Sequence, residues 1–426
     1  MAKFQSPRGM NDILPEQMAI WQQIEQTCQK VSSQFGYEWI ITPIVEDQKI
    51  FSRTAGNDSD IVSKEMYVFE DRGGDSLALR PEGTAGVVRA FIEHGMSNRP
   101  QPLRLCYFGP FFRYDRPQAG RYRQLWQFGV ELIGESSPLA DVEVINLQNT
   151  LYKKLGLSNV ELRINSIGSS ESRKKYLDVL KEFLKPQLNN LSTESQKHFL
   201  NNPFRILDSK IEDDQKIVSQ APKILEYIDE EDLDHFEHVR KYLDVLNINY
   251  KVDSGIVRGL DYYTRTVWEF QPNDIGSQST VGAGGRYDNL VEMLGGTATP
   301  AVGFGTGIER ISLNMTKVDN KEQIKNIDAF IIPLGDSGTI RTLQIGNMLR
   351  DAGFNIVNGI EGRSLRSQLR SANNQNASYA LIIGEDEVNA NRIQVKDLKT
   401  EQQQQLLSEK ELINFLNTSI ESIEVI

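Results

Sequence analysis

One stretch of charged sequence limits the folds open to this 426-residue chain more than any other feature. Residues 169–246 are charged and mostly helical in pattern, whereas extended segments dominate on both sides of them. That arrangement reads as a helical insertion interrupting a sheet built from two separated parts. Upstream, Asn11-Asp12-Ile13-Leu14-Pro15 caps a helix, and Trp21, Ile24, Cys28, Val31 and Phe35 recur at helical spacing until Gly36. Residues 38–45 are extended but interrupted by Pro43, which belongs at a sheet edge or an interface because proline cannot donate to a ladder. Residues 66–69 and 77–79 flank Asp71-Arg72-Gly73-Gly74-Asp75 as a hairpin, and residues 83–94 are helical. Two further extended segments, 103–112 and 122–133, surround a basic loop at 113–121, and two antiparallel strands are the simplest account.

Downstream of the insertion, residues 250–252, 261–270 and the region of Val281 are extended, and residues 303–315 run from strand into helix. A polar stretch at 316–326 reads as a linker. Beyond it, strand and helix alternate, which predicts a separate small α/β domain with a largely parallel sheet. The expected division is therefore 1–168 and 247–315 for one sheet domain, 169–246 for the insertion, and 327–426 for the last domain.

The 39% hydrophobic and 25% charged fractions are those of a soluble globular protein. No apolar run spans a bilayer and the polar N-terminus lacks a signal pattern, so a cytoplasmic location without membrane association is expected. A net charge of −11 argues against coating nucleic acid by bulk electrostatics but leaves room for a local basic surface. Cys28 and Cys106 read as reduced thiols. Of the four histidines, only His235 and His238 have helical spacing, and their charged surroundings suggest a solvated face rather than a zinc site.

Neither common phosphate-cradling signature is present, since there is no GxxxxGK[ST] loop and Gly303-Phe304-Gly305-Thr306-Gly307 does not match GxGxxG. Phosphate would have to be held by arginines, and Arg113, Arg121, Arg258 and Arg310 all fall at loop–strand junctions. A guanidinium keeps its charge and forks onto two phosphate oxygens, although each of these arginines alone also suits a surface ion pair. Glu82, at the start of a helix beside Gly83 and Thr84, suits either the positive helix end or a substrate ammonium group. Gln127, Gly129 and Glu131 share one strand face, and so can look into one pocket or form a polar ladder. In residues 258–270, alternation puts Asp261, Tyr263, Arg265, Val267 and Glu269 on one face and Tyr262, Thr264, Thr266, Trp268 and Phe270 on the other.

Taken together these residues resemble a class II aminoacyl-tRNA synthetase, and within that class the histidyl-tRNA synthetase family, over nearly the whole chain. Residues 36–56 around Pro43 look like the dimer-interface motif, residues 112–131 like the ATP-binding hairpin, and residues 303–310 like the third class motif. Arg258-Gly259-Leu260-Asp261-Tyr262-Tyr263 and Ala283-Gly284-Gly285-Arg286-Tyr287-Asp288 look like the two histidine-specific signatures and are the more specific part of the match. The resemblance implies an α+β fold: an antiparallel-sheet catalytic domain with a helical insertion, followed by an α/β anticodon-binding domain.

It also implies activation of L-histidine by ATP with Mg²⁺, transfer to tRNA(His), and a homodimer. On that resemblance Arg113 and Arg258 hold the α-phosphate, and Arg121 and Arg310 the outer phosphates. Asp115 meets the adenine edge. Glu82, Gly83 and Thr84 position the amino end, and Gln127, Glu131, Tyr262, Tyr263 and Tyr287 enclose the imidazole.

Three departures from the family pattern stand out. Tyr114-Asp115 stands where His-Glu is usual, Trp126 where histidine is usual, and Asn289 where glycine is common. None removes a charged catalytic group. A non-catalytic regulatory subunit of ATP phosphoribosyltransferase shares the fold but lacks the anticodon domain and degrades the histidine signatures, both of which this chain retains. An enzyme that adenylates another amino acid would keep the arginines without the imidazole-shaped pocket. Loss of one charge-stabilising donor typically costs roughly 100- to 1,000-fold in turnover. Arg258→Ala is accordingly predicted to nearly abolish histidine-dependent pyrophosphate exchange in a protein whose circular dichroism is unchanged, and near-normal exchange would refute the role.

Overall fold

Leu14-Pro15 starts the first helix as the sequence predicts: proline at the first helical position gives up an N–H that has no partner there, and Gln17 Oε1 accepts the Leu14 N–H at 3.3 Å. The helix Pro15–Gln34 ends at Phe35 and Gly36, the latter at φ +76°, and it buries Ile24, Cys28 and Val31. The computed structural model describes residues 4–55, 61–209, 211–257, 262–273, 280–315, 327–400 and 404–424. The chain divides into two compact units, Met1–Val318 and Asp319–Ile426.

In the first unit, the extended segment around Pro43 is two short strands rather than one. These are β1 (Glu38–Trp39) and β2 (Val45–Asp47), and Pro43 occupies the break between them. β2 joins the hairpin β3 (Tyr67–Glu70) and β4 (Ser76–Leu79) in a small antiparallel sheet of order β2-β4-β3. The basic loop joins β5 (Leu103–Phe112) to β6 (Gln124–Ile133), which pair antiparallel along their full length from Leu103↔Ile133 to Phe112↔Gln124.

The strands β7 (Val160–Ser166), β8 (Tyr250–Val252), β9 (Thr264–Pro272), β10 (Gly282–Arg286) and β11 (Ala301–Gly307) complete an eight-stranded sheet of order β1-β5-β6-β11-β10-β9-β7-β8. The six central strands pair antiparallel; only the edge strands β1 and β8 pair parallel. β7 pairs with both β8 and β9, so the helical stretch leaves and re-enters the sheet at the same place. Its side chains Tyr176, Leu180 and Phe204 share a core with Tyr262, Tyr263 and Tyr287 of the sheet. On the opposite face, Phe128, Trp268 and Phe270 meet Ile24, Leu147 and Phe236 from three helices.

Three sequence expectations are corrected here. β9 begins at Thr264, so Tyr262 and Tyr263 precede the strand expected to hold them, and Asp261 lies outside the described residues; within β9, Arg265 has a left-handed φ of +48° and the β9–β10 register shifts at Gly285/Arg286. His235 is buried rather than solvated: it faces inward from the helix Glu230–Val245 with its Nε2 3.3 Å from Asp141 Oδ2. In the second unit, β12 (Ile327–Pro333), β13 (Ile356–Asn358) and β14 (Ala377–Ile383) pair parallel, but β15 (Ile393–Asp397) and β16 (Gln405–Leu407) add antiparallel. That sheet, of order β13-β12-β14-β15-β16, is therefore mixed, with separate apolar cores around Ile331 and Ile332.

Arg286, fully buried at the end of β10, forks onto Asp141 at 2.5 and 3.1 Å and also donates to Asp288 Oδ1 and the carbonyls of Glu135 and Ser137. Burial alone would raise the Asp141 carboxyl, but Arg286 and His235 outweigh it and hold it down to about 2. Removing one partner of such a pair typically costs about 3–5 kcal/mol because the other charge is left uncompensated. Arg286→Ala is expected to move the first urea transition to markedly lower concentration, and the double variant Arg286→Met/Asp141→Leu to recover much of the loss.

Candidate active site

β6 and β11 align Gln127, Gly129 and Glu131 opposite Gly307, Gly305 and Gly303, so one side of this strand pair carries few side chains. Neighbouring groups fill the space. A Cβ on Gly129 would overlap the Tyr107 ring, one on Gly303 the Glu131 carboxylate, and one on Gly285 would come within 2.7 Å of the Tyr263 ring. What remains is a cavity of about 330 Å³, in the range of small-molecule sites.

One end of the cavity is acidic and aromatic. Glu82 accepts the N–H groups of Thr84 at 2.6 Å and Ala85 at 3.1 Å, so it caps the helix Thr84–Glu93 while still lining the cavity. Burial raises its pKa, against the pull of those N–H groups and Arg113. Glu131 is fully buried and lies one layer deeper. It accepts from Thr84 Oγ1 at 2.8 Å, from the Tyr107 hydroxyl at 3.1 Å and from the Tyr287 hydroxyl. Burial outweighs these donors and pushes its carboxyl up to about 8. Tyr262 and Tyr263 pack ring to ring at 4.7 Å, with Tyr287 at 5.7 and 6.5 Å from them.

The other end is cationic. Arg113 Nε donates to the Pro81 carbonyl at 2.8 Å, and Arg310 donates to the carbonyls of Gly120 at 3.1 Å and Thr280 at 2.6 Å. Arg121 pairs with Asp115 and lies 3.8 Å from Glu65. Burial, then the nearby Arg113 and Arg121, lower the pKa of Arg310 against the pull of Glu269 and Glu309, so these guanidiniums form one positive patch that the neighbouring carboxylates offset in part. Glu309 and Glu269 stand beside it. Glu309 accepts the Trp126 N–H at 2.9 Å and is pushed up to about 7 by burial, while Glu269 accepts from Thr280 Oγ1 at 2.6 Å. The hairpin loop is tied down at its base, where Arg123 donates its N–H to the Gly9 carbonyl at 2.7 Å and stacks 3.7 Å above the Tyr114 ring.

Glu82, Gly83, Thr84, Arg113, Asp115, Arg121, Gln127, Tyr262, Tyr263 and Arg310 all line this cavity, as the sequence suggested. Glu131 and Tyr287 do not line it directly but form a layer beneath it. Arg258, Gly259, Leu260 and Asp261 lie outside the described residues. The expected opposition of Tyr262 and Tyr263 fails, because both precede the strand and turn to the same cavity. Asp115 uses its carboxylate on Arg121, and Trp126 packs on Trp21 and Phe108, each at 5.7 Å between centroids.

Sequence reasoning missed Tyr107, Glu269, Thr280 and Glu309. Tyr107 was within reach, since antiparallel pairing of the two ten-residue segments sets it directly opposite Gly129. The others depend on how β9 and the helix Ile308–Asn314 meet, which no local pattern encodes.

The family model described as histidyl-tRNA synthetase matches residues 9–311, and the one described as anticodon binding domain matches residues 328–419. A histidine–tRNA ligase of Caldanaerobacter subterraneus is 44% identical over 94% of this chain and 97% of its own length. Among solved structures, apo histidyl-tRNA synthetase of S. aureus superposes with a TM-score of 0.80 at 35% identity, covering 97% of this chain and 99% of that one. A Bacillus halodurans chain titled ATP phosphoribosyltransferase regulatory subunit/histidyl-tRNA synthetase shares the fold, with a TM-score of 0.68 at 22% identity over 90% of this chain and 99% of that one. With a family match across most of its length and identity of this order to a curated relative, the chain belongs to the histidyl-tRNA synthetase family.

Proposed function

We propose that the chain is a histidine–tRNA ligase, which joins L-histidine and ATP to give histidyl-adenylate and pyrophosphate and then passes the histidyl group to the 3′ end of tRNA(His). The observation that carries this reading is a single cavity with two chemically opposed ends, Glu82 and the tyrosines at one and Arg113, Arg121 and Arg310 at the other. An amino acid laid between them presents its ammonium to the acidic end and its carboxylate to the cationic one.

In this reading the histidine carboxylate attacks the α-phosphorus in line, an O–P bond forms, and pyrophosphate departs with the electron pair of the broken bond. No enzyme nucleophile takes part; the protein supplies orientation and charge. Arg113 meets the α-phosphate together with Arg258, while Arg121 and Arg310 meet the outer phosphates. ATP enters as its Mg²⁺ complex. Among the described residues no cluster of three or more metal-binding side chains exists. The metal is read as carried mainly by phosphate oxygens, with Glu269 and Glu309 lining the same cavity. Asp115 completes the nucleotide side through the adenine edge.

An imidazole needs one donor and one acceptor at fixed places, and the Glu131 layer meets this requirement. A protonated Glu131 is itself a donor, and the hydroxyls of Thr84, Tyr107 and Tyr287 can each donate or accept, so the layer offers both kinds of group. Gln127, Tyr262, Tyr263 and Tyr287 complete the enclosure, with Gly83 leaving room for the Tyr107 ring. The anticodon of tRNA(His) goes to the domain from residue 327 onward, residues 36–56 form a homodimer interface, and the enzyme works in the cytoplasm. No helix among the described residues is long and apolar enough to cross a membrane.

Pyrophosphate exchange measured across the twenty amino acids is expected to respond to histidine alone; no response to any would indicate a regulatory subunit, and response to another would indicate a different specificity. Arg113→Ala is expected to lower histidine-dependent exchange roughly 100- to 1,000-fold.

Glu131 gives a pH prediction. Its folded pKa of about 8 lies above the ordinary glutamate value, so between the two the folded chain holds a proton that the unfolded chain has released. Stability contributed at this site thus falls as pH rises from about 4.5 toward 8. Glu131→Gln should therefore gain thermal stability relative to the parent at pH 8.5 compared with pH 5. An identical difference at both pH values would contradict the assignment.

A further inference from the structure

We infer that Arg265 is a positioning residue that ties the helical insertion to the amino-acid end of the cavity; the inference rests on the reading of that cavity as the histidine site. Arg265 is one of four non-glycine residues with positive φ among those described, at +48°, and it sits two residues after Tyr263. Its backbone is held in that conformation on both sides: its N–H donates to the Gly168 carbonyl and its carbonyl accepts the Ile167 N–H, each at 2.8 Å. A residue with a side chain adopts this conformation only where its surroundings impose it.

The imposing surroundings come from the insertion. Arg265 Nε donates to Asp232 Oδ1 at 2.9 Å and its Nη2 to Glu231 Oε1 at 2.5 Å, both on the helix Glu230–Val245. Asp232 is itself fixed, since its other oxygen accepts the Ser169 N–H at 2.7 Å and the Ser172 hydroxyl at 2.8 Å. From the helix Ser170–Leu184, Arg173 Nη1 donates to the Tyr263 carbonyl at 3.0 Å. Of three consecutive residues of the sheet domain, two insertion helices therefore grip the outer two, Tyr263 through their Arg173 and Arg265 through their Asp232 and Glu231.

The consequence for the cavity is direct. The left-handed residue stands at the second position of β9, two residues after Tyr263, so its held backbone fixes how the segment that carries Tyr262 and Tyr263 enters the strand. The middle residue of the three, Thr264, accepts the Asp288 N–H at 3.2 Å, next to Tyr287. A shift of the insertion is thereby transmitted to all three tyrosines around the imidazole, while Arg113 and Arg121 in the β5–β6 loop and Arg310 on the helix Ile308–Asn314 share none of these contacts.

The test separates this from general destabilisation. In Arg265→Gly the backbone keeps its favoured conformation, because glycine adopts positive φ freely, but the side-chain clamp is lost. Asp232→Asn weakens the clamp from the other side, and Glu231→Gln, on an exposed carboxylate, does so with little risk to folding. Arg240→Ala, at a half-buried residue of the same helix that pairs with Glu237 instead of Arg265, is the control.

Histidine-dependent exchange is measured at saturating ATP and at saturating histidine. The expected result is a KM for histidine raised about tenfold in Arg265→Gly and Asp232→Asn and about threefold in Glu231→Gln, with kcat and the KM for ATP within about twofold of the parent and Arg240→Ala unchanged. An unchanged KM for histidine in Arg265→Gly and Glu231→Gln, or a parallel rise in the KM for ATP, overturns the inference while leaving the ligase reading intact. Absence of histidine-dependent exchange in the parent protein would defeat that reading instead.

Discussion

Paired strands lie about 4.8 Å apart, so a side chain as large as tyrosine crosses its neighbour only where that neighbour has none. Tyr107 over Gly129, Glu131 against Gly303 and Tyr263 against Gly285 are three instances around one cavity. The sheet thus stays hydrogen-bonded through β5, β6, β11, β10 and β9 while offering a hollow instead of a packed face. The arrangement forgoes the apolar burial those positions could have supplied. The large aromatic core on the opposite face, with Phe128, Trp268 and Phe270 under the helices, supplies that burial instead.

Charge is distributed in the same unequal way. The buried pair Arg286–Asp141 is fully compensated and fixes the end of β10, next to Tyr287. Within the cavity compensation is incomplete: burial raises Glu82, Glu131 and Glu309, and burial together with neighbouring arginines lowers Arg310. Such a site costs stability in the unliganded protein and favours ligands that bring charges opposite to those of its two ends. Tight pairing at Arg286 keeps the cavity walls in place while the cavity itself remains electrostatically unsatisfied.

Most of the chain's architecture could be read from local pattern. The first helix, the β3–β4 turn, the β5–β6 hairpin and the helical interruption each carry a periodicity or turn signal strong enough to survive tertiary context. The arginines at loop–strand junctions and the Gln127-Gly129-Glu131 face were legible for the same reason. Failures occurred where a distant partner decides the outcome. Nothing near Arg265 announces a left-handed residue; Asp232 and Gly168 impose it. His235 looks solvated among its charged sequence neighbours, yet Asp141 draws it inward. Tyr287 and Glu131 read as cavity residues but lie a layer deeper, because the depth of a side chain is set by what stands in front of it. The antiparallel edge of the second unit's sheet likewise depends on short strands with weak local patterns.

The bond between Arg123 and Gly9 joins the start of the chain to the base of the hairpin loop that carries Arg113, Asp115 and Arg121. Gly9, at φ +82°, also lies where a Cβ would crowd Pro117 and Arg123, so the contact leaves no room for a larger residue. A segment that precedes every helix and strand of the fold, and holds none of the groups assigned to catalysis, is in this way a mechanical support of the loop. A substitution at Gly9 would therefore be felt at the cationic end of the cavity through this loop, even though the residue contributes little to the core.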